Sequence, residues 1–137
     1  MVVVDATILM LFFRPDAGVP TGPGGAPIDF PKERIEFLIE ETEKAREKVI
    51  IPTPVLSEVL VRAGPTASQK IVEDINRYSA FRIESFDARA AIEVAAMTRA
   101  ALDDTGKKRG KATGPWAKIK YDRQIVAIAK VIGATAI

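Results

Sequence analysis

Three acidic side chains set in apolar surroundings, Asp5, Glu58 and Asp122, are the residues of this sequence best suited to chemistry. Asp5 follows Val2-Val3-Val4, and Thr7 is the only other polar side chain before Arg14. Glu58 lies within Val55-Leu56-Ser57-Glu58-Val59-Leu60-Val61, and Asp122 stands one helical turn ahead of Ile125, Val126, Ala129 and Ile132. Burying a charge without a partner is expensive. If the three acids converge, a divalent cation is the natural partner, because close carboxylates repel and an ion between them removes that penalty. The chain has no histidine and no cysteine, which excludes His-based triads, thiolate sites, cysteine nucleophiles and disulfides. Carboxylates, hydroxyls, Lys and Arg remain. Hard, oxygen-loving metals such as Mg²⁺ or Mn²⁺ therefore rank above zinc.

Composition bounds the rest. The 137 residues suit a single domain, residues 1–137, with enough volume for a core. With 47% apolar and 28% charged residues the balance is that of a soluble globular protein. A formal charge of +2 is mild, so a nucleic-acid partner requires a local basic patch rather than a basic whole. The apolar N-terminus lacks a basic leader and carries Asp5, so it reads as neither signal peptide nor membrane span, and a cytoplasmic location is expected.

Strands alternate with helices along the chain. Residues 2–5 form a short apolar run typical of a strand buried on both faces of a parallel sheet. Residues 15–31 hold five prolines and four glycines and read as loop. Pro31 opens an amphipathic helix to about Lys48, with Ile35, Leu38 and Ile39 inward. Val49-Ile50-Ile51 is a second strand. Thr53 and Pro54 are placed to cap and begin a helix that ends at Gly64-Pro65. A further helix over about 67–78 turns Ile71, Ile75 and Tyr78 to one side. Phe81 to Phe86 alternates as a third strand, and Asp87 is placed to cap the Ala-rich helix 88–102. Residues 103–114 read as polar loop. A last helix runs from Trp116 or Tyr121 to Ile132, ends at Gly133 and leads into Ala134–Ile137. The pattern predicts an α/β fold of doubly wound type, with a central parallel sheet of about four strands flanked by helices in three layers.

In such a sheet, ligands bind beyond the carboxyl ends of the strands. Asp5 ends the first strand, Glu58 lies in the second turn of the helix after the second strand, and Asp122 sits near the start of the helix feeding the last. All three are expected at one rim. Each also has an ordinary role. Asp5 can cap the following turn, Glu58 and Arg62 form an i,i+4 pair, and Asp122 in a first helical turn suits the helix dipole. Their conjunction on one edge is what favours a shared function.

From Gly106 to Tyr121, Lys107, Lys108, Arg109, Lys111, Lys118 and Lys120 occur with no acid among them. They point to phosphate binding beside Asp122, with Lys118 and Lys120 as candidate substrate-binding residues and Trp116 as either a base-stacking platform or a packing anchor. Gly106-Lys-Lys-Arg-Gly110-Lys111-Ala112 falls short of a phosphate-binding P-loop. It has one residue too few between the glycines, no hydroxyl after the lysine and no strand before it. Gly22-Pro-Gly-Gly has no strand feeding it and is no dinucleotide fingerprint; it reads as a flap or an insertion.

Asp-x-Thr after the first strand, Pro-Thr-Pro-Val-Leu-Ser-Glu-Val-Leu after the second, and Tyr-Asp-Arg-Gln-Ile-Val-Ala-Ile-Ala before the last resemble the PIN-domain family. The resemblance runs through the whole chain in order and spacing. It implies a compact PIN-like, Rossmann-like fold and a metal-dependent endoribonuclease, a hydrolase of the kind found as the VapC-type toxin of toxin–antitoxin pairs. By it, Asp5, Glu58 and Asp122 correspond to the family's first three acids and would ligate Mg²⁺ or Mn²⁺ as the catalytic set. Thr7 falls where the family usually supports those acids with Asn or Ser. The implied partners are RNA as substrate, an antitoxin protein and a second copy of the chain in a homodimer. The family's Ser/Thr-x-Asp segment with a fourth acid would come after Ile137. The chain is thus expected to be truncated before its last strand segment and to bind metal more weakly. A PIN-like module that binds or dimerises without cutting is the alternative. A phosphatase using Asp5 as nucleophile ranks lower, since it wants a second Asp where Thr7 stands.

Overall fold

The computed structural model describes residues 1–13, 23–27 and 29–137. Among them, three strands form one parallel sheet in the order β1 (Val2–Val3), β2 (Val49–Pro52), β3 (Phe81–Glu84). Six α-helices alternate with these strands: α1 (Ala6–Phe13), α2 (Pro31–Lys44), α3 (Thr53–Ala63), α4 (Pro65–Arg77), α5 (Ala88–Thr105) and α6 (Trp116–Ile132). The fold is α/β, as its alternating pattern predicts. The expected fourth strand is reduced to one parallel bridge, Val2 to Ala136, in which Val3 N–H donates to Ala136 O at 3.0 Å. The chain moves outward from β1 to β3 and then returns to the other side of β1. That reversal puts the end of β1 at the switch in strand order where such sheets bind ligands.

β2 is the centre of the core. Val49, Ile50 and Ile51 are at most 1% exposed, as a strand paired on both sides must be. Ile35 and Ile39 of α2, Val55 and Val59 of α3, Ile71 and Ile75 of α4, and Ile125 and Ala129 of α6 close over it. A second, smaller apolar cluster joins Ala90 of α5 to Ala127 and Ile128 of α6. α6 is thus apolar on two sides, which explains why Val126, between those two sides, is left at the surface.

Several local expectations need correction. Thr53 does not cap α3. Pro52 holds the cap position without a side-chain bond, and the Thr53 hydroxyl accepts from Phe86 N–H at 3.1 Å, tying the ends of β2 and β3 together. Asp87 does cap α5, its carboxylate accepting from Ala90 N–H at 3.0 Å. That bond, helped by Arg89, holds the Asp87 carboxyl below the usual carboxylate range. α5 continues to Thr105, so the loop begins at Gly106, whose φ of 72° ends the helix. Gly110 (φ 64°) lies so close to α5 that a Cβ there would meet Ala101 Cβ at 3.2 Å. The glycines that imitate a P-loop are therefore a helix stop and a close approach of backbone to helix. Tyr78 is half exposed rather than aligned with the buried Ile71 and Ile75. The expected loop 15–31 lies largely outside the described residues, as does part of the Gly22-Pro-Gly-Gly flap; Pro23–Gly25 forms a short 3₁₀ turn.

Candidate active site

Asp5, Glu58 and Asp122 line one cleft of about 590 Å³ at the carboxyl edge of the sheet. β1 ends just before Asp5, α3 leaves β2 directly and carries Glu58 into its second turn, and α6 brings Asp122. α3 packs against both α1 and α6, so all three acids are positioned by contacts to one helix. Ala6, Thr7, Pro54, Ser57, Arg62, Lys118, Tyr121 and Ile125 complete the lining.

Each acid has a local partner. Asp5 caps α1, its Oδ1 accepting from Ile8 N–H at 2.9 Å. Glu58 pairs with Arg62 one turn later on α3. Asp122 pairs with Lys118 one turn earlier on α6, at 3.2 Å. Asp5 is exposed, Asp122 is 53% exposed and Glu58 32%, so the acids sit on a wet rim rather than inside the core. The expected cost of burying these charges does not arise. With α6 starting at Trp116, Asp122 falls in the second turn, beyond the reach of the helix dipole. Among the described residues, no three acidic side chains stand close enough together to hold a metal ion as they are placed.

Two cations, Arg62 and Lys118, therefore share the cleft with three acids. Each is tethered only by an exposed i,i+4 pair, of a kind that contributes roughly 0.3–0.5 kcal/mol. Arg62 is 48% and Lys118 71% exposed. Little holds these carboxylates against a competing ion.

Tyr121 was not legible as a site residue. It lies half buried on α6 beside Asp122, packs against the main core and lines the cleft. Its hydroxyl is buried, with the Glu58 carboxylate as its neighbouring acceptor. Burial raises the pKa of this phenol well above its ordinary value, and hydrogen bonding to the Glu58 carboxylate, then the negative charges of Glu58 and Asp5, raise it further. The proton stays on. The signal in the sequence was its neighbour: a tyrosine directly before an acid on a helix whose other face is core.

The basic segment divides. Of its six cations, Lys118 alone lines the acid cleft. Lys120, two residues along the helix, lies instead in a groove between α5 and α6 with Phe86, Thr98 and Gln124. Lys108 Nζ stands 4.5 Å from the centre of the Trp116 ring, and the Arg123 guanidinium 5.6 Å from it. Arg109 donates to Gly114 O at 3.0 Å, and Lys111 lies 3.8 Å from Asp104. Trp116, half buried between two cations, anchors this loop to α6. No helix among the described residues is long and apolar enough to cross a membrane. No family model matches the chain, and no curated protein matches it.

Proposed function

We propose that this chain is a metal-dependent endoribonuclease of PIN-like fold that hydrolyses RNA phosphodiester bonds, with Asp5, Glu58 and Asp122 holding Mg²⁺ or Mn²⁺. The observation carrying this reading is that three acids far apart in sequence line one cleft at the carboxyl edge of a parallel sheet. The donor set suits such an ion in kind, being all oxygen. Holding it requires Glu58 and Asp122 to leave Arg62 and Lys118, which breaks two weak surface pairs.

When bound, the ion supplies Lewis-acid polarisation of a phosphate oxygen and a lowered pKa for water. The chain contributes the negative charges that hold it. Arg62 and Lys118, once freed, offset the charge of the phosphodiester from the cleft wall. No histidine is present to act as a general base, and this chemistry asks for none. In the same reading the protein is the toxin of a toxin–antitoxin pair, restrained by an antitoxin protein and paired with a second copy of itself.

A second reading is a PIN-like module that binds or dimerises without cutting. It is favoured by the local engagement of all three acids, no three of which are close enough to hold an ion as placed. One experiment separates the two. Mn²⁺ should raise the melting temperature of the wild type, Asp5→Asn should abolish that rise, and single-stranded RNA should be cut only with the metal present. Equal stabilisation of wild type and variant would overturn the metal assignment. Stabilisation without cutting would favour the module.

A further inference from the structure

α5 is 18 residues long, yet Ala90 is its one buried residue, whereas α6, with 17 residues, buries five. Ala91, Val94, Ala95, Thr98 and Leu102 recur at the spacing of a single helix face and all stay accessible, Leu102 at 44%. With α6 they wall a groove of about 600 Å³ that Phe86, just before α5, borders at one end. The stripe is three turns long, about 16 Å at the α-helical rise. α6 runs antiparallel to α5, since Lys130 reaches Glu93 at 2.9 Å and Arg123 reaches Thr98 at 3.0 Å. Lys120 therefore stands level with the last turn of the stripe, and with Arg99 it makes that end of the groove basic. The neighbouring cations Arg89, Lys111, Lys118 and Lys130 each have an acid within 4 Å. Among the described residues Arg99 and Lys120 have none, both are exposed, and no carboxylate lines the groove.

We propose that the α5–α6 groove docks a helical segment of a partner protein, about three turns long, apolar toward Phe86 and acidic toward Arg99 and Lys120. The chemistry of the walls selects this occupant. The small side chains of Ala91 and Ala95 let a second helix approach closely, and Val94 and Leu102 offer it apolar contacts at matching intervals. The two cations fix its direction, because only one end of the groove attracts carboxylates. A nucleic acid asks instead for cations along its whole track and for aromatic stacking faces. Here the floor is mostly aliphatic and the charge is confined to one end. The inference stands apart from the acid cleft and needs no metal there, since none of the groove residues lines that cleft.

The test uses a fluorescein-labelled synthetic peptide of about 14 residues, with leucines on one helical face and glutamates gathered at one end. A side-chain staple holds it helical, since an isolated helix that short is marginal in water. Fluorescence anisotropy should show binding to the wild type, and a peptide with lysine in place of every glutamate should not bind. Arg99→Glu combined with Lys120→Glu should weaken the acidic peptide about ten-fold or more and admit the lysine peptide, with the melting temperature unchanged. Leu102→Ser, at an exposed position, should weaken the acidic peptide about five-fold, and it carries the test if the double variant does not fold. No binding by the wild type would overturn the proposal, as would equal binding of a peptide with its leucines scattered around the helix. Binding indifferent to both variants would place the peptide elsewhere and overturn it too. Displacement of the peptide by single-stranded RNA would assign the groove to nucleic acid. Self-association of the wild type that the same variants abolish would assign it to a second copy of the chain. Either result would overturn the proposal of a separate acidic partner.

Discussion

The two ends of α1 lie at opposite edges of the sheet and differ in kind. Its first turn is capped by Asp5 and opens on a cleft with three carboxylates and two cations. Its last turn delivers Phe12 and Phe13 into a knot with Phe81, where β3 begins, and Tyr78. Phe12 meets each of the other three rings edge-on or nearly so, at centroid separations of 4.9–5.5 Å. The aromatic end is self-sufficient, since every ring has at least two partners at the spacing aromatic pairs prefer. The acidic end is held by surface pairs that contribute little. One short helix thus joins a region that holds the fold to a region with unspent binding capacity.

Breaking the aromatic end should have the largest effect. Phe81→Ala removes the ring that Phe12, Phe13 and Tyr78 all touch. It should destabilise the protein by about 3–5 kcal/mol in urea unfolding. A loss under about 1 kcal/mol would mean that the knot is ornamental. At the acidic end the charge and the cap of Asp5 can be separated. Asp5→Ala should cost about 1 kcal/mol of stability, whereas Asp5→Asn, which still accepts from Ile8 N–H, should cost only a few tenths. If the two variants were equally unstable, the carboxylate would stabilise the fold by its charge, and the contrast between the ends would fail. The smallest effect concerns the substrate. Lys118→Ala should weaken single-stranded RNA binding and flatten its salt dependence by about 0.7 in the log–log slope, the value for one lost phosphate contact. Lys120→Ala, in the α5–α6 groove, should leave that slope unchanged.

Much of the architecture was readable from the chain because it depends on short-range rules. The Pro31 and Gly133 boundaries, the Asp87 cap and the buried Val49–Ile51 run follow from backbone preference and apolar spacing. Thr53 was misread because a cap and a cross-strand acceptor are the same hydroxyl. Only the placement of Phe86, 33 residues away, decides between them. The rim position of the acids was legible from topology. Their exposure was not, because apolar neighbours in sequence can all turn inward while the acid turns out. Lys118 and Lys120 looked equivalent as a basic pair, yet two residues on a helix are about 200° apart, and that rotation sends them to different clefts. The fate of Tyr121 depended on side-chain direction, which spacing alone does not give.

Arg123 follows Asp122 directly, and its guanidinium reaches Lys108 O at 2.7 Å and Thr98 Oγ1 at 3.0 Å while facing Trp116. The segment between α5 and α6 is thereby moored to the helix that presents an acid to the cleft. Any roll of α6 that swings Asp122 inward must drag this mooring with it, so the loop and the carboxylate move as parts of one lever.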